Sequence, residues 1–174
     1  MANITALSAL DTFFADLVVN LLDLPSDQVL ISYEEYGQIH PKKGLNYCFV
    51  FTQEETDNVQ MYKNRQDKKL QNGKWDITQS SMRKVKVQFA FYGDNSDTNA
   101  LSFKEMLYFP TTNLLLDDNN LSLIPSEINL QNVREEINGT YWKRANLEVL
   151  FYNSVTFQKT VETIRELDLT TSIE

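Results

Sequence analysis

The sequence predicts a single α+β domain: a mainly antiparallel β-sheet, two helices packed on one face of it, and a projecting β-hairpin arm. Three observations carry that prediction. One long N-terminal stretch repeats apolar residues at spacings of three and four, whereas several later stretches alternate apolar and polar residues. Asn-Gly pairs at 72–73 and 138–139 supply hairpin turns. At 174 residues, with ten Phe and eight Tyr, the chain can bury one core and is too aromatic to be disordered. No repeat, linker or break in composition divides residues 1–174.

The elements follow in order. Ile4, Leu7, Leu10, Phe14, Leu17 and Leu21 place one apolar stripe on a helix from about residue 3 to 22, with Asp11 and Asp16 on its other side and Pro25 at its exit. Val29, Ile31 and Tyr33 alternate as a strand, and Leu45 to Thr52 reads as a more buried one; a Gly/Pro-punctuated loop would join them as a hairpin. Residues 54–80 are polar and offer no core, so they read as a two-stranded arm with its tip near 66–74. Val85, Val87, Phe89 and Phe91 alternate with Lys84, Lys86, Gln88 and Ala90, the clearest strand in the chain.

Gly93 ends that strand, Asp94 or Ser96 can cap a second helix, and Ala100, Leu101, Phe103, Met106 and Leu107 give its apolar stripe, which Pro110 closes. Asp117-Asp118-Asn119-Asn120 has turn chemistry. Ile128, Leu130 and Val133 suggest a strand that turns at Asn138-Gly139 into Tyr141–Tyr152, where Leu147, Val149 and Phe151 alternate with polar neighbours. Val155 to Leu169 fits a strand or a short helix.

Catalytic supply is thin. His40 is the one histidine and sits in a loop beside Lys42 and Lys43; Cys48 lies among Tyr47, Phe49 and Val50, where a buried, inert thiol is expected. Two such residues cannot make a zinc cage. The pairs Asp117-Asp118, Asp94…Asp97 and Glu135-Glu136 lack calcium-loop spacing and read as turns, caps or solvated charge. No GxxxxGK or GxGxxG run occurs. No catalytic residue, metal site or cofactor is therefore expected, and a carboxylate-based enzyme ranks low. With no Lys or Arg before Lys42 there is no positively charged signal region, and Leu17–Leu24 is too short to span a bilayer, so a soluble protein made in a cytoplasm is expected, without a membrane partner.

Charge is distributed unevenly. The net charge is −8, yet residues 63–86 hold eight of the sixteen basic residues and only two acids, giving +6 there and −14 on the rest. Lys63, Arg65, Lys68 and Lys69 dominate that stretch, with Trp75 beside them. They suit an arm that docks on an acidic protein surface, including that of an identical neighbour, or a solvated edge whose lysines prevent aggregation. A nucleic-acid arm ranks third, because the acidic body would repel phosphate.

Two segments resemble phage neck and tail-terminator proteins. Lys84-Val85-Lys86-Val87-Gln88-Phe89-Ala90-Phe91-Tyr92-Gly93, followed by Asn99-Ala100, is similar to a strand–Tyr-Gly–helix signature of that family. Tyr141-Trp142-Lys143-Arg144, leading into Leu147–Asn153, resembles its aromatic-Arg strand. The likeness spans most of the chain, least of all the basic segment at 56–80.

The resemblance implies a non-enzymatic virion component of the tail or neck, assembled in the host cytoplasm. Subunits would form a ring, as a hexamer, on the head-proximal end of a tail tube, end tail polymerisation and meet the head-completion or adaptor proteins. Genomic DNA would pass an acidic lumen without specific binding. It also implies Phe91, Tyr92, Gly93 and Trp142 as a structural motif, with Arg144 pairing to a carboxylate inside the subunit or across a boundary. A different tail or baseplate protein-binding module, without a terminating role, is the other reading.

Overall fold

The computed structural model describes residues 6–31, 44–56, 63–70, 74–125, 128–137 and 139–161. Helix α1 (Leu7–Leu22) ends at Asp23, whose positive φ of 53° breaks the helical path ahead of Pro25. A single 3₁₀ turn, Ser26–Gln28, leads into β1 (Val29–Ile31). Then come β2 (Tyr47–Glu55), β3 (Lys63–Lys69), β4 (Trp75–Tyr92), α2 (Ser96–Met106), α3 (Pro110–Asp118), β5 (Leu121–Leu123), β6 (Asn129–Ile137) and β7 (Thr140–Val161).

The seven strands form one mixed sheet. Its axis is the pair β4 and β7, antiparallel from Tyr92↔Arg144 to Trp75↔Val161 without a break in register. On the outer side of β4, β2 pairs with residues 84–92 and β3 with residues 75–81. Along the outer side of β7, β6 pairs with residues 140–148 and β5 with residues 151–153. β1 completes the β2 edge.

Directly opposed residues share a face of the sheet. Val85, Val87, Phe89 and Phe91 of β4 therefore stand beside Phe151, Val149, Leu147 and Ala145 of β7, and all eight are buried. Leu10, Phe14, Leu17 and Val18 of α1 and Ala100 and Phe103 of α2 cover this face. Phe14 is fully buried, its ring 4.8 Å from Phe151 and 6.0 Å from Phe89, while Phe103 packs 4.7 Å from Phe89.

Four expectations are corrected. The strands at 29–31 and 47–55 are not a hairpin: β1 runs parallel to β2, Val29 opposite Cys48, and residues 32–46 are long enough for the crossover that parallel pairing requires. There are three helices rather than two among the described residues, because Pro110 does not close α2 but opens α3. At the first helical position proline loses nothing, since that N–H has no partner in the helix. α3 then runs on through Asp118, and Asn120, with φ of 57°, makes the turn.

Neither Asp94 nor Ser96 caps α2. The cap residue is Asn95, whose backbone N–H donates to the Asn46 side chain at 3.1 Å, leaving the buried Ser96 hydroxyl without a partner. Asp11, assigned from spacing to the solvent side of α1, has a buried carboxylate oxygen and faces Thr52 of β2. Burial pushes its carboxyl up, and Thr52 only partly draws it back.

Candidate assembly surface

The arm is built by continuation of the sheet's axis. β4 and β7 run on past their last core residues, Val85 and Phe151, and β3 joins them, so the arm has three strands where two were expected. Its strand rows are Lys63–Ser81–Val155, Arg65–Gln79–Phe157, Asp67–Ile77–Lys159 and Lys69–Trp75–Val161 on one face. That face continues the helix-covered side of the body, yet none of its residues enters the core cluster. At the junction Arg83 closes the packed region, its Nε donating to the buried Asn153 at 2.9 Å.

Lys63, Arg65 and Lys69 thus stand on the same face as Trp75, and Lys69 Nζ lies 6.0 Å from the Trp75 ring centre. Lys68 does not join them. It occupies the opposite face in register with Asp76, among Thr78, Ser80 and Thr156. Arg65 donates to Asp67 Oδ1 at 2.8 Å; that hydrogen bond, with the carboxylate's charge, raises its pKa further. The Asn-Gly pair at 72–73 lies outside the described residues, and a bond from Leu70 N–H to Lys74 C=O at 2.8 Å closes the hairpin around it.

Arg144 is at the other end of the β4–β7 pair, seventeen rows from Trp75. It is engaged within its own chain: Nη1 donates to Glu135 Oε2 at 2.9 Å, Nε donates to Asn146 Oδ1, and the guanidinium lies 5.3 Å from the Tyr92 ring. The Tyr92 hydroxyl donates to the same Glu135 oxygen at 2.6 Å. Burial pushes the Tyr92 phenol up, and donation to Glu135 pushes it further. Burial also acts to raise the Glu135 carboxyl, but the two hydrogen bonds and the Arg144 charge outweigh it and hold it below 4.5.

This group ties β4, β7 and β6 together on the face away from the helices. Trp142 stands next to it, opposite Glu135 and half-buried. Phe91 belongs to the core on the other face. Gly93 turns the chain out of β4 with φ of +112°, and a Cβ there would lie 2.6 Å from Leu45 C=O and from Asn46 Oδ1.

Glu135 is the residue that reading by composition missed, since Glu135-Glu136 looks like ordinary solvated charge. The signal was the Asn138-Gly139 turn. Counting outward from Ile137↔Thr140 sets Glu135 beside Trp142 and diagonal to Arg144.

Cys48 is fully buried and burial pushes its thiol up, which disfavours the reactive thiolate. His40 lies outside the described residues. Among the described residues, no group of three or more His, Cys, Asp or Glu could hold a metal ion. No helix among them is long and apolar enough to cross a membrane.

An α+β body with exposed sheet edges and a charged arm has the form of an assembly subunit. The chain belongs to the phage neck terminator protein family, whose model matches residues 8–174. It is thus a bacteriophage structural protein of the neck, where it meets other head and tail components. None of the curated proteins compared with the chain matches it.

Proposed function

We propose that the chain caps the head-proximal end of a phage tail tube as a homo-oligomeric ring, ends tail polymerisation and forms the neck surface to which the head is joined. The observation that carries this reading is the three-stranded arm. It leaves the core with a basic and apolar face that no other described element covers, on a molecule whose remainder is strongly acidic. A single subunit cannot satisfy both surfaces, whereas a head-to-tail arrangement that closes can. A hexamer is the expected ring, with tail-tube and head-completion or adaptor proteins above and below it.

With each subunit at −8, a ring would present DNA with a repelling rather than adhesive lumen, so the genome passes without specific binding. The protein needs no cofactor in this role and acts in the virion after assembly in the host cytoplasm. Arm residues Lys63, Arg65, Lys69 and Trp75 serve the subunit contact, while Arg144, Tyr92, Gly93 and Trp142 shape the body that presents it.

Light-scattering mass, negative-stain imaging and in vitro tail assembly test the proposal. A ring of about six chains that sits on tube ends and stops elongation supports it. A strict monomer at high concentration and in the presence of tail tubes overturns it, and favours a tail or baseplate binding module instead.

A further inference from the structure

A second exposed apolar surface lies away from the arm. Helical spacing puts Thr111, Leu114, Leu115 and Asp118 on one outward stripe of α3, and Leu114 is 65% exposed. Phe109, at the mouth of the helix, is 55% exposed. Beside the stripe, α3 and β5 leave a cleft of about 310 Å³, lined by Tyr108, Leu116, Leu121, Leu123 and Pro125 together with the polar Asn113, Asp117 and Ser122.

The charge here is placed against local stability. Asp117 and Asp118 are the last two residues of α3, with no basic residue in its last turn. Carboxylates at the negative end of a helix are unfavourable, because they meet the unpaired carbonyls of its last turn. No described residue offsets them with an ion pair. Apolar residues, a cleft and two unpaired carboxylates thus occur together.

The arm's uncovered face has the complementary composition. Phe157 is 44% exposed, and Ile77 and Trp75 are half-buried in the next two rows of that face; Lys63, Arg65 and Lys69 on β3 and Lys159 on β7 outnumber the one acid there, Asp67, which holds Arg65 at 2.8 Å. We infer that the arm of one subunit docks on the α3–β5 face of a second copy of this chain. Phe157 then fills the neighbour's cleft while Lys69 and Arg65 meet Asp117 and Asp118. An aromatic anchor in a pocket, ringed by opposite charges, is the arrangement that concentrates binding energy at an interface. The two surfaces differ, so the contact is heterologous and propagates head to tail until it closes. This rests on the ring proposed above and names the surfaces that join it.

Charge exchange tests it. Arg65→Glu with Lys69→Glu, and separately Asp117→Lys with Asp118→Lys, should each raise the concentration for half-assembly by about tenfold or more. Putting all four substitutions in one chain should recover most of that loss, because the reversed arm then meets a reversed helix. A Phe157→Cys, Tyr108→Cys chain, which pairs the anchor with an exposed residue of the cleft lining, should form inter-subunit disulfides under mild oxidation, with circular dichroism confirming that each variant folds. Rings that form normally in both charge pairs and give no disulfide overturn the docking and leave the ring standing. A wild-type chain that never oligomerises, alone or with tail tubes, overturns the ring and the docking with it.

Discussion

The Tyr92 hydroxyl reaches Glu135 across an intervening strand: Tyr92 is on β4, Glu135 on β6, and β7 runs between them. The hydrogen bond therefore ties together two strands that share no backbone ladder, and Arg144 on the middle strand holds the same carboxylate oxygen. Tyr92→Phe should cost about 1–3 kcal/mol, because the carboxylate loses a donor in a half-buried site. Glu135→Gln should cost a similar amount at neutral pH. Glu135 has a depressed pKa in the fold, so its contribution is complete above the ordinary value of 4.5 and fades as the pH falls through the lower folded value. Urea unfolding at pH 7 and pH 3 checks this: the gap between wild type and Glu135→Gln should narrow in acid.

Asp11 should behave in the opposite sense. Its pKa is raised above 3.8 by burial against β2, so the protonated form is the one the fold favours. That benefit is present below 3.8 and is lost as the pH rises through the folded value, leaving an ionised carboxylate with one oxygen buried at neutral pH. Asp11→Asn should therefore stabilise the protein slightly at pH 7, by less than about 0.5 kcal/mol because solvent screens the partly exposed group. The same denaturation series should show the gain disappearing in acid.

Gly93→Ala should be among the most damaging small substitutions. The φ of +112° alone costs an L-residue about 1–3 kcal/mol, and the added methyl meets backbone oxygen and the Asn46 side chain at 2.6 Å. Gly139→Ala also meets a positive φ, of +74°, but has open space around it and should cost less. Thermal unfolding of the two variants side by side separates strain from collision.

Cys48 should be inert in the native protein. A thiol reagent at pH 8 should label it only at the rate at which the chain unfolds, and at full rate in denaturant. Rapid native labelling would show that the β1–β2 edge opens.

Much of this architecture is written in local periodicity. Val85–Phe91 and Leu147–Phe151 alternate so regularly that their shared buried face could be drawn before any pairing was known. Strand direction could not: Val29-Leu30-Ile31 is three residues long and reads the same parallel or antiparallel. Pro110 is equally ambiguous, since the residue that ends one helix is well suited to begin another. The arm's charges were evident, and adjacent Lys68 and Lys69 must face opposite ways on any strand. Which of them joins Trp75 depended on the register with β4. Glu135 gained its meaning only from partners that are distant in the chain or across a turn.

The unbroken β4–β7 register also orders events in time. At its body end the paired residues Tyr92 and Arg144 are 52 positions apart in the chain, whereas Trp75 and Val161, at the arm end, are 86 apart. The body end closes the smaller loop and buries the Phe and Val rows, so pairing is favoured there first and zips outward. Within the arm the β3–β4 hairpin closes a much smaller loop, Lys69 to Trp75, so it is the arm-end residues of β7 that depend on the body to set their register. If the arm is the subunit contact proposed above, a newly made chain should complete its body before β7 completes that contact surface, so half-folded chains should be slow to join.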